Sequence, residues 1–286
     1  MSGPPFHPNC QCTLSVGDIE NAKYHDSNLH QNVASDRNVD TRDIKWLKMA
    51  LTKLGYYKPD SRAGESDKKL NQYPNQRLFD AIENFRKENK IRETGAVKPG
   101  YWTEVKINEA LKKQQMDNMK ISSKGISWLK DKEDKILDKQ GNHIIYDDQT
   151  GRPINTNEPL PKGATIGYGH LIKSDEYFRD GINETTATEL LRADITTAER
   201  AVKNNISVPL KQNQFDALVS LAYNIGAKNF ANSTVVKYIN NPNFHSSIYP
   251  NLESAWKAWN RSQGNISNGL INRRQNEWDM YNRGIY

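Results

Sequence analysis

The chain has 286 residues, a formal net charge of +6 and a sequence pI near 9.1, with 36% hydrophobic and 26% charged residues and a mean hydropathy of −0.86. No apolar run approaches the roughly 18 residues that cross a bilayer, which excludes a membrane-spanning helix. Only Cys10 and Cys12 are present, which excludes a disulfide-stapled fold, and the basic balance favours anionic partners.

The chain opens on "MSGPPFHPNCQCTLSV", which lacks a positively charged start followed by an apolar stretch. No secretory signal peptide is expected, so a protein made in the cytoplasm would need another route out. His7, Cys10 and Cys12 offer three soft ligands, one fewer than a structural zinc site needs, and read as a reduced tail without metal. Residues 1–40 show no helical or strand periodicity and are expected to form a flexible tail. The "HPNCQC" string resembles the closing segment of phage head-morphogenesis proteins over about ten residues, which implies a phage-like or toxin-like gene context.

From residue 41 the pattern becomes helical. "DTRDIKWLKMALTKLGYY" puts Ile44, Leu47, Ala50, Leu51 and Leu54 on one face, with Asp43 near the start and Gly55 past the end. "NQRLFDAIENFRKEN" repeats this with Leu78, Ala81, Ile82 and Phe85, and "YWTEVKINEALKK" with Val105, Asn108 and Leu111. The three helices are expected to form a small bundle over 41–115. The stretch from Asp43 to Lys113 resembles the peptidoglycan-binding domain that accompanies many cell-wall hydrolases, which implies a wall-binding role. One feature departs from that family: "GESDKKLNQYPNQRL" stands where the family has a glycine-rich turn. Residues 116–121 are expected to be a linker, with Ser122 or Ser123 capping the next helix.

The remaining residues, 122–286, read as a second domain. In "ISWLKDKEDKILDK", Ile126, Leu129, Ile136 and Leu137 form a helical stripe with Glu133 in its middle. A charge on an apolar face is a cost unless it is paired or used. The helix leaves both readings open: a carboxyl whose pKa burial raises for acid chemistry, or one paired with an arginine. "HIIY" predicts a strand, "DDQTG" a turn, and "ATIGYGH" a partner strand with two glycines. A phosphate loop would run into a helix with Lys-Ser or Lys-Thr, whereas His170, Leu171 and Ile172 follow here. The glycines are therefore expected to shape a hairpin.

An acidic residue on a first helix, then "YDDQTG", then "TIGYGH" resembles the phage-type lysozymes, glycoside hydrolase family 24. "LKQNQFDALVSLAYNIGAKNFANST" and "GLINRRQNEWDMY" are similar to that family's long core helix and closing helix. The resemblance implies a mainly α (α+β) fold: the three-helix module, then a domain with a small β-hairpin sheet and a helical lobe. It implies a muramidase that cuts the β-1,4 bond between N-acetylmuramic acid and N-acetylglucosamine with inversion. Glu133 is then the catalytic acid, Asp148 the carboxylate that activates water, and Thr165 the residue that positions that water. His170, Leu171, Tyr223, Asn224 and Ser233 match substrate-binding positions, although packing suits them too, and His170 above all. Inverting enzymes hold their carboxyls about 6.5–9.5 Å apart, leaving room for the water.

Between Asp148 and Thr165 the family has few residues, whereas this chain carries "QTGRPINTNEPLPKGA". Its prolines argue against a helix or a central strand and predict an extruded loop at a cleft rim, which contacts the glycan or its peptide stem or is merely tolerated. "ETTATELLRADITTAERAVKNN" predicts a further helix capped by Asn183 or Thr185, and Trp256, Trp259 and Trp278 read mainly as core.

Two carboxyls and water need no cofactor. Peptidoglycan is the expected partner of a monomer that acts in the periplasm or wall, with no nucleic acid and no membrane insertion. A secretion apparatus, a holin or an immunity protein are further candidates. Rival readings are a lytic transglycosylase using Glu133 alone, a non-enzymatic wall-binding protein, and a nucleic-acid binder, for which no groove-reading motif is found.

Overall fold

The computed structural model describes residues 29–34, 40–262 and 264–286, so the reading of His7, Cys10 and Cys12 lies outside the described residues. The chain divides into two compact units between Asn118 and Met119. Among the described residues no helix is long and apolar enough to cross a membrane.

The first unit is built on α1 (Thr41–Lys53), α2 (Gln76–Glu88) and α3 (Trp102–Asn118). Asp40 caps α1 and Asn75 caps α2, each accepting a backbone N–H of the first turn. Ile44, Leu47, Ala50 and Leu51 meet Leu78, Ala81, Ile82 and Phe85 in one core, as the stripes predict. The third stripe is corrected: Ile107 is the fully buried apolar position on α3, and Leu111 packs only at the edge of the core. The N-terminal turn of α3 instead buries polar Thr103 and Glu104.

Part of the expected tail, residues 29–34, belongs to this unit, and the rest of residues 1–39 lies outside the described residues. Leu29 and Val33 are buried in this core, and Val33 pairs with Val97. Buried carboxylates hold the backbone there, Glu104 taking the Leu29 N–H and Asp43 those of His30 and Gln31. At the other end α3 runs to Asn118, so the start of the expected linker is helical.

The long connection from α1 to α2 lacks a glycine-rich turn and is organised by charge instead. Lys48 donates to Glu65 at 2.7 Å, and both side chains are fully buried. Glu65 also accepts the Tyr57 hydroxyl and the N–H groups of Asp60 and Asn71.

The second unit begins with α4 (Ser123–Lys132), capped by Ser122. Asp216 accepts both the N–H and the hydroxyl of Ser122, which pins the start of α4. A three-stranded antiparallel sheet follows: β1 (Tyr146–Asp147), β2 (Ala164–Ile166) and β3 (His170–Leu171). Then come α5 (Glu184–Asn205), α6 (Gln212–Ile225), α7 (Ala227–Asn232), α8 (Thr234–Asn240) and α9 (Leu252–Lys257). A hairpin of β4 (Arg261–Ser262) and β5 (Asn265–Ile266) leads into α10 (Asn268–Arg283). The apolar helix α6 is central and packs against α4, α5, α7 and α10. Asn183 is the cap of α5.

Two expectations change here. The helix carrying Glu133 stops at Lys132, so Ile136 and Leu137 are not on it. The "HIIY" strand shrinks to its tyrosine, because His143 pairs with Leu137 and Ile182 in isolated bridges rather than in a ladder.

Candidate active site

Glu133 is the C-cap of α4. Its backbone is extended, and its N–H still bonds the Leu129 carbonyl. The turn to extended geometry takes its side chain off the helix. The carboxylate is 17% exposed and accepts Arg273 Nη2 at 2.8 Å. Both readings of this residue therefore hold together: it is paired with an arginine, and burial still pushes its pKa up against the lowering effect of Arg273.

The sheet faces this carboxylate through its tight turn. Gly167-Tyr168-Gly169 joins β2 to β3, and Gly169 sits at φ 85°, where L side chains are strained. A Cβ on Gly169 would lie 3.8 Å from Glu133 Oε2 and 3.9 Å from the Tyr223 hydroxyl. The turn is thus a close approach of backbone to the carboxylate, not a phosphate cradle.

Paired residues on neighbouring strands share a face. Tyr146 pairs with Thr165, and Thr165 with Leu171, so these three lie on one side of the sheet. Asp148 follows β1 directly and is exposed. Its N–H reaches the Gly163 carbonyl at 3.3 Å, and the Thr165 hydroxyl donates to the same oxygen at 2.9 Å. One backbone oxygen therefore ties both groups. Because the Thr165 proton is committed to that carbonyl, the oxygen's remaining lone pairs can only accept. Gly163 has φ 100°, a conformation that favours glycine. The neighbouring Asp147 is used up in the turn: its carboxylate accepts the N–H groups of Gln149 and Thr150, which lower its pKa.

Tyr146 links the two sides. Its hydroxyl donates to the Asp134 carbonyl at 3.1 Å. Burial pushes its pKa up to about 12, reinforced by the negative charges of Asp148, Asp134 and Glu133.

The segment between Asp148 and Thr165 is less extruded than expected. Arg152 to Ile154 folds back along the free edge of β1, with Ile154 buried and its N–H on the Ile145 carbonyl. Pro153 fits there because an edge position needs no donor. Beyond it, Glu158 pairs with Arg152 at 2.7 Å, and Arg179 holds the Asn155 carbonyl at 3.1 Å.

Of the five substrate-binding candidates, two are corrected. His170 is buried, with Nδ1 on Asp194 at 2.8 Å and Nε2 on Glu176 at 2.9 Å, so neither nitrogen faces a ligand. Ser233 is buried and caps α8 through the Val236 N–H. Leu171 and Asn224 are exposed. Tyr223 is half-buried beside Gly169, and its pKa is raised by burial and by Glu133. Trp256 is core, as expected.

Arg273, Glu277 and Tyr146 were not singled out from the sequence as site residues. A usable signal existed: Arg273, Arg274 and Glu277 fall at i, i+1 and i+4, which places them near one another on a helix. Among the described residues no group of three or more His, Cys, Asp or Glu side chains is arranged to hold a metal.

The phage lysozyme family model matches residues 151–277. The endolysin of Salmonella phage P22 is 35% identical over 166 residues, covering 57% of this chain and 98% of that protein. The endolysin of Bacillus phage B103 is 39% identical over 126 residues, covering 44% of this chain. That match spans only 46% of the Bacillus phage protein. Among solved structures, the endolysin from Escherichia coli O157:H7 phage FAHEc1 is 33% identical with a TM-score of 0.47, covering 59% of this chain and 97% of its own.

Proposed function

The chain belongs to the phage lysozyme family, and from that premise we propose that it is a peptidoglycan hydrolase, a muramidase that cuts the β-1,4 bond after N-acetylmuramic acid. The observation that carries this reading is the largely buried Glu133 carboxyl set against the Gly169 turn of the same small sheet whose Gly163 carbonyl ties Asp148 and Thr165. Glu133 is largely buried with a raised pKa, and Asp148 is exposed at the start of a polar turn. That is the division of labour which glycoside hydrolysis needs.

In the proposed step the Glu133 proton passes to the glycosidic oxygen as the bond from that oxygen to the anomeric carbon breaks. Water attacks the opposite face of the sugar, and Asp148 takes its proton. Thr165, its own hydrogen held by Gly163, accepts the other water hydrogen and fixes the direction of attack. Attack from the far face inverts the anomeric carbon. Leu171, Asn224 and Tyr223 are retained as proposed sugar contacts. The first unit is proposed to hold the protein on the wall, the enzyme's place of action.

Digestion of purified peptidoglycan followed by mass analysis of the fragments tests the reading. Reducing N-acetylmuramic ends are expected. Anhydro ends would identify a transglycosylase, and intact glycan with cut peptides would overturn the assignment.

A further inference from the structure

Glu277 is a fully buried carboxylate that the proposed reaction does not use. It lies on α10 and collects donors from three helices. Ser220 Oγ on α6 donates at 2.7 Å, and Trp256 Nε1 on α9 at 3.1 Å. From its own helix, Arg273 Nε approaches at 3.3 Å and Arg274 Nη2 at 2.8 Å. The far end of the Arg273 guanidinium is the group that binds Glu133. One arginine is therefore shared between a carboxylate at the site and one in the core.

This sharing resolves a conflict in the site. A general acid must be protonated, yet an arginine at hydrogen-bond distance lowers a carboxyl pKa by roughly 1–3 units. Arg273 works against that protonation, and the charge of Arg274 behind it adds to the effect. A buried carboxylate between the two arginines neutralises much of their charge and turns Arg273 away from undivided pairing with Glu133. Around Glu133 the charged and titratable neighbours are Arg273, Arg274 and Glu277 on α10, Asp134 beside it in sequence, Tyr146 from the sheet, and Tyr223 from α6.

We propose that Glu277 is a positioning residue for the proposed hydrolysis: through Arg273 it fixes the orientation of the Glu133 carboxyl and keeps it protonated where an acid is required. The proposal rests on the muramidase reading for its meaning but not for its test. The direction is supported independently, since burial acts first to raise the Glu133 pKa, Arg273 lowers it, and Asp134 and Glu277 raise it.

The test is carbon-detected NMR titration of the Glu133 carboxyl in the full chain, assigned by its loss in Glu133→Gln and read beside the pH–rate profile. Glu277→Gln is expected to move the titration midpoint, and the alkaline limb of the rate, to lower pH by roughly one unit. Arg274→Met, which removes a competing cation, is expected to move both upward. Where either variant fails to fold by near-UV circular dichroism, Ser220→Ala serves. It leaves Glu277 charged with one donor fewer, so its midpoint should also rise. Unmoved midpoints in folded variants, even with lower melting temperatures, would reduce Glu277 to packing and overturn the proposal. Shifted midpoints in a protein that does not cleave glycan would sustain the coupling and overturn the muramidase reading instead.

Discussion

Glu133 is held between two opposed influences, burial that favours its neutral form and Arg273 that favours its charge, and burial prevails. The sign for activity follows. A raised acid pKa keeps the proton available to higher pH, and turnover falls as pH rises through that pKa. Glu133→Gln is expected to lower the rate of wall clearing by roughly 10²–10⁴-fold with an unchanged circular dichroism spectrum. Clearing at the wild-type rate by a folded variant would remove the residue from its role. Thr165 and Gly163 make a second case. Because the Thr165 hydroxyl donates to the Gly163 carbonyl, its contribution is an oriented acceptor. Thr165→Ser should retain most activity. Thr165→Val should lose on the order of 10²-fold in kcat with little change in KM, the cost of a misplaced reactant. Equal rates for the two variants would exclude the hydroxyl.

At the scale of elements, the loop between α1 and α2 depends on a single buried ion pair. Glu65 is desolvated, yet the Asp60 N–H, Lys48 and Tyr57 together hold its pKa at about 2, against an ordinary value of 4.5. A depressed folded pKa stabilises above the unfolded value, and that stability is lost as pH falls from about 4.5 towards 2. Glu65→Gln leaves Lys48 buried without its counter-ion. It should destabilise the first unit by about 3–5 kcal/mol and flatten the acid dependence of its unfolding, both read from urea melts at pH 7 and pH 3. The inserted segment of the second unit makes the complementary prediction. Its first half is anchored by Ile154 on the edge of β1, and its second half carries the exposed Leu160. We propose that this half contacts substrate. Replacing residues 155–161 by a short glycine linker is expected to raise KM for polymeric glycan while the melting temperature stays within a few degrees. Unchanged KM and wall binding would make it a tolerated insertion.

For the whole molecule, the two units separate binding from chemistry in the proposed reading. Residues 119–286 alone should then hydrolyse soluble glycan fragments at the rate of the full chain, while co-sedimentation with purified walls falls at least several-fold. Equal sedimentation would leave the first unit as a spacer. The net charge of +6 adds a salt-sensitive attraction to an anionic wall. Wall association should weaken between 50 mM and 500 mM salt even where glycan cleavage does not.

Helical periodicity and turn glycines are local properties, and the sequence by itself determined them: the stripes of α1 and α2 and the hairpin turn around Gly167 and Gly169, while the choice of Asn183 over Thr185 as the cap of α5 fell to the structure. The roles of Glu133, Asp148 and Thr165 came from the family resemblance of the motifs that carry them, and periodicity alone placed Glu133 inside a helix that in fact ends just before it. Partners distant in sequence were not legible. Arg273 reaches Glu133 across 140 residues, and His170 and Ser233 are spent on Asp194, Glu176 and a helix cap. Only the tertiary structure decides which polar side chains face solvent and which satisfy one another inside. A buried charge must find its counter-charge wherever the packing of helices brings one, and no local pattern records that choice.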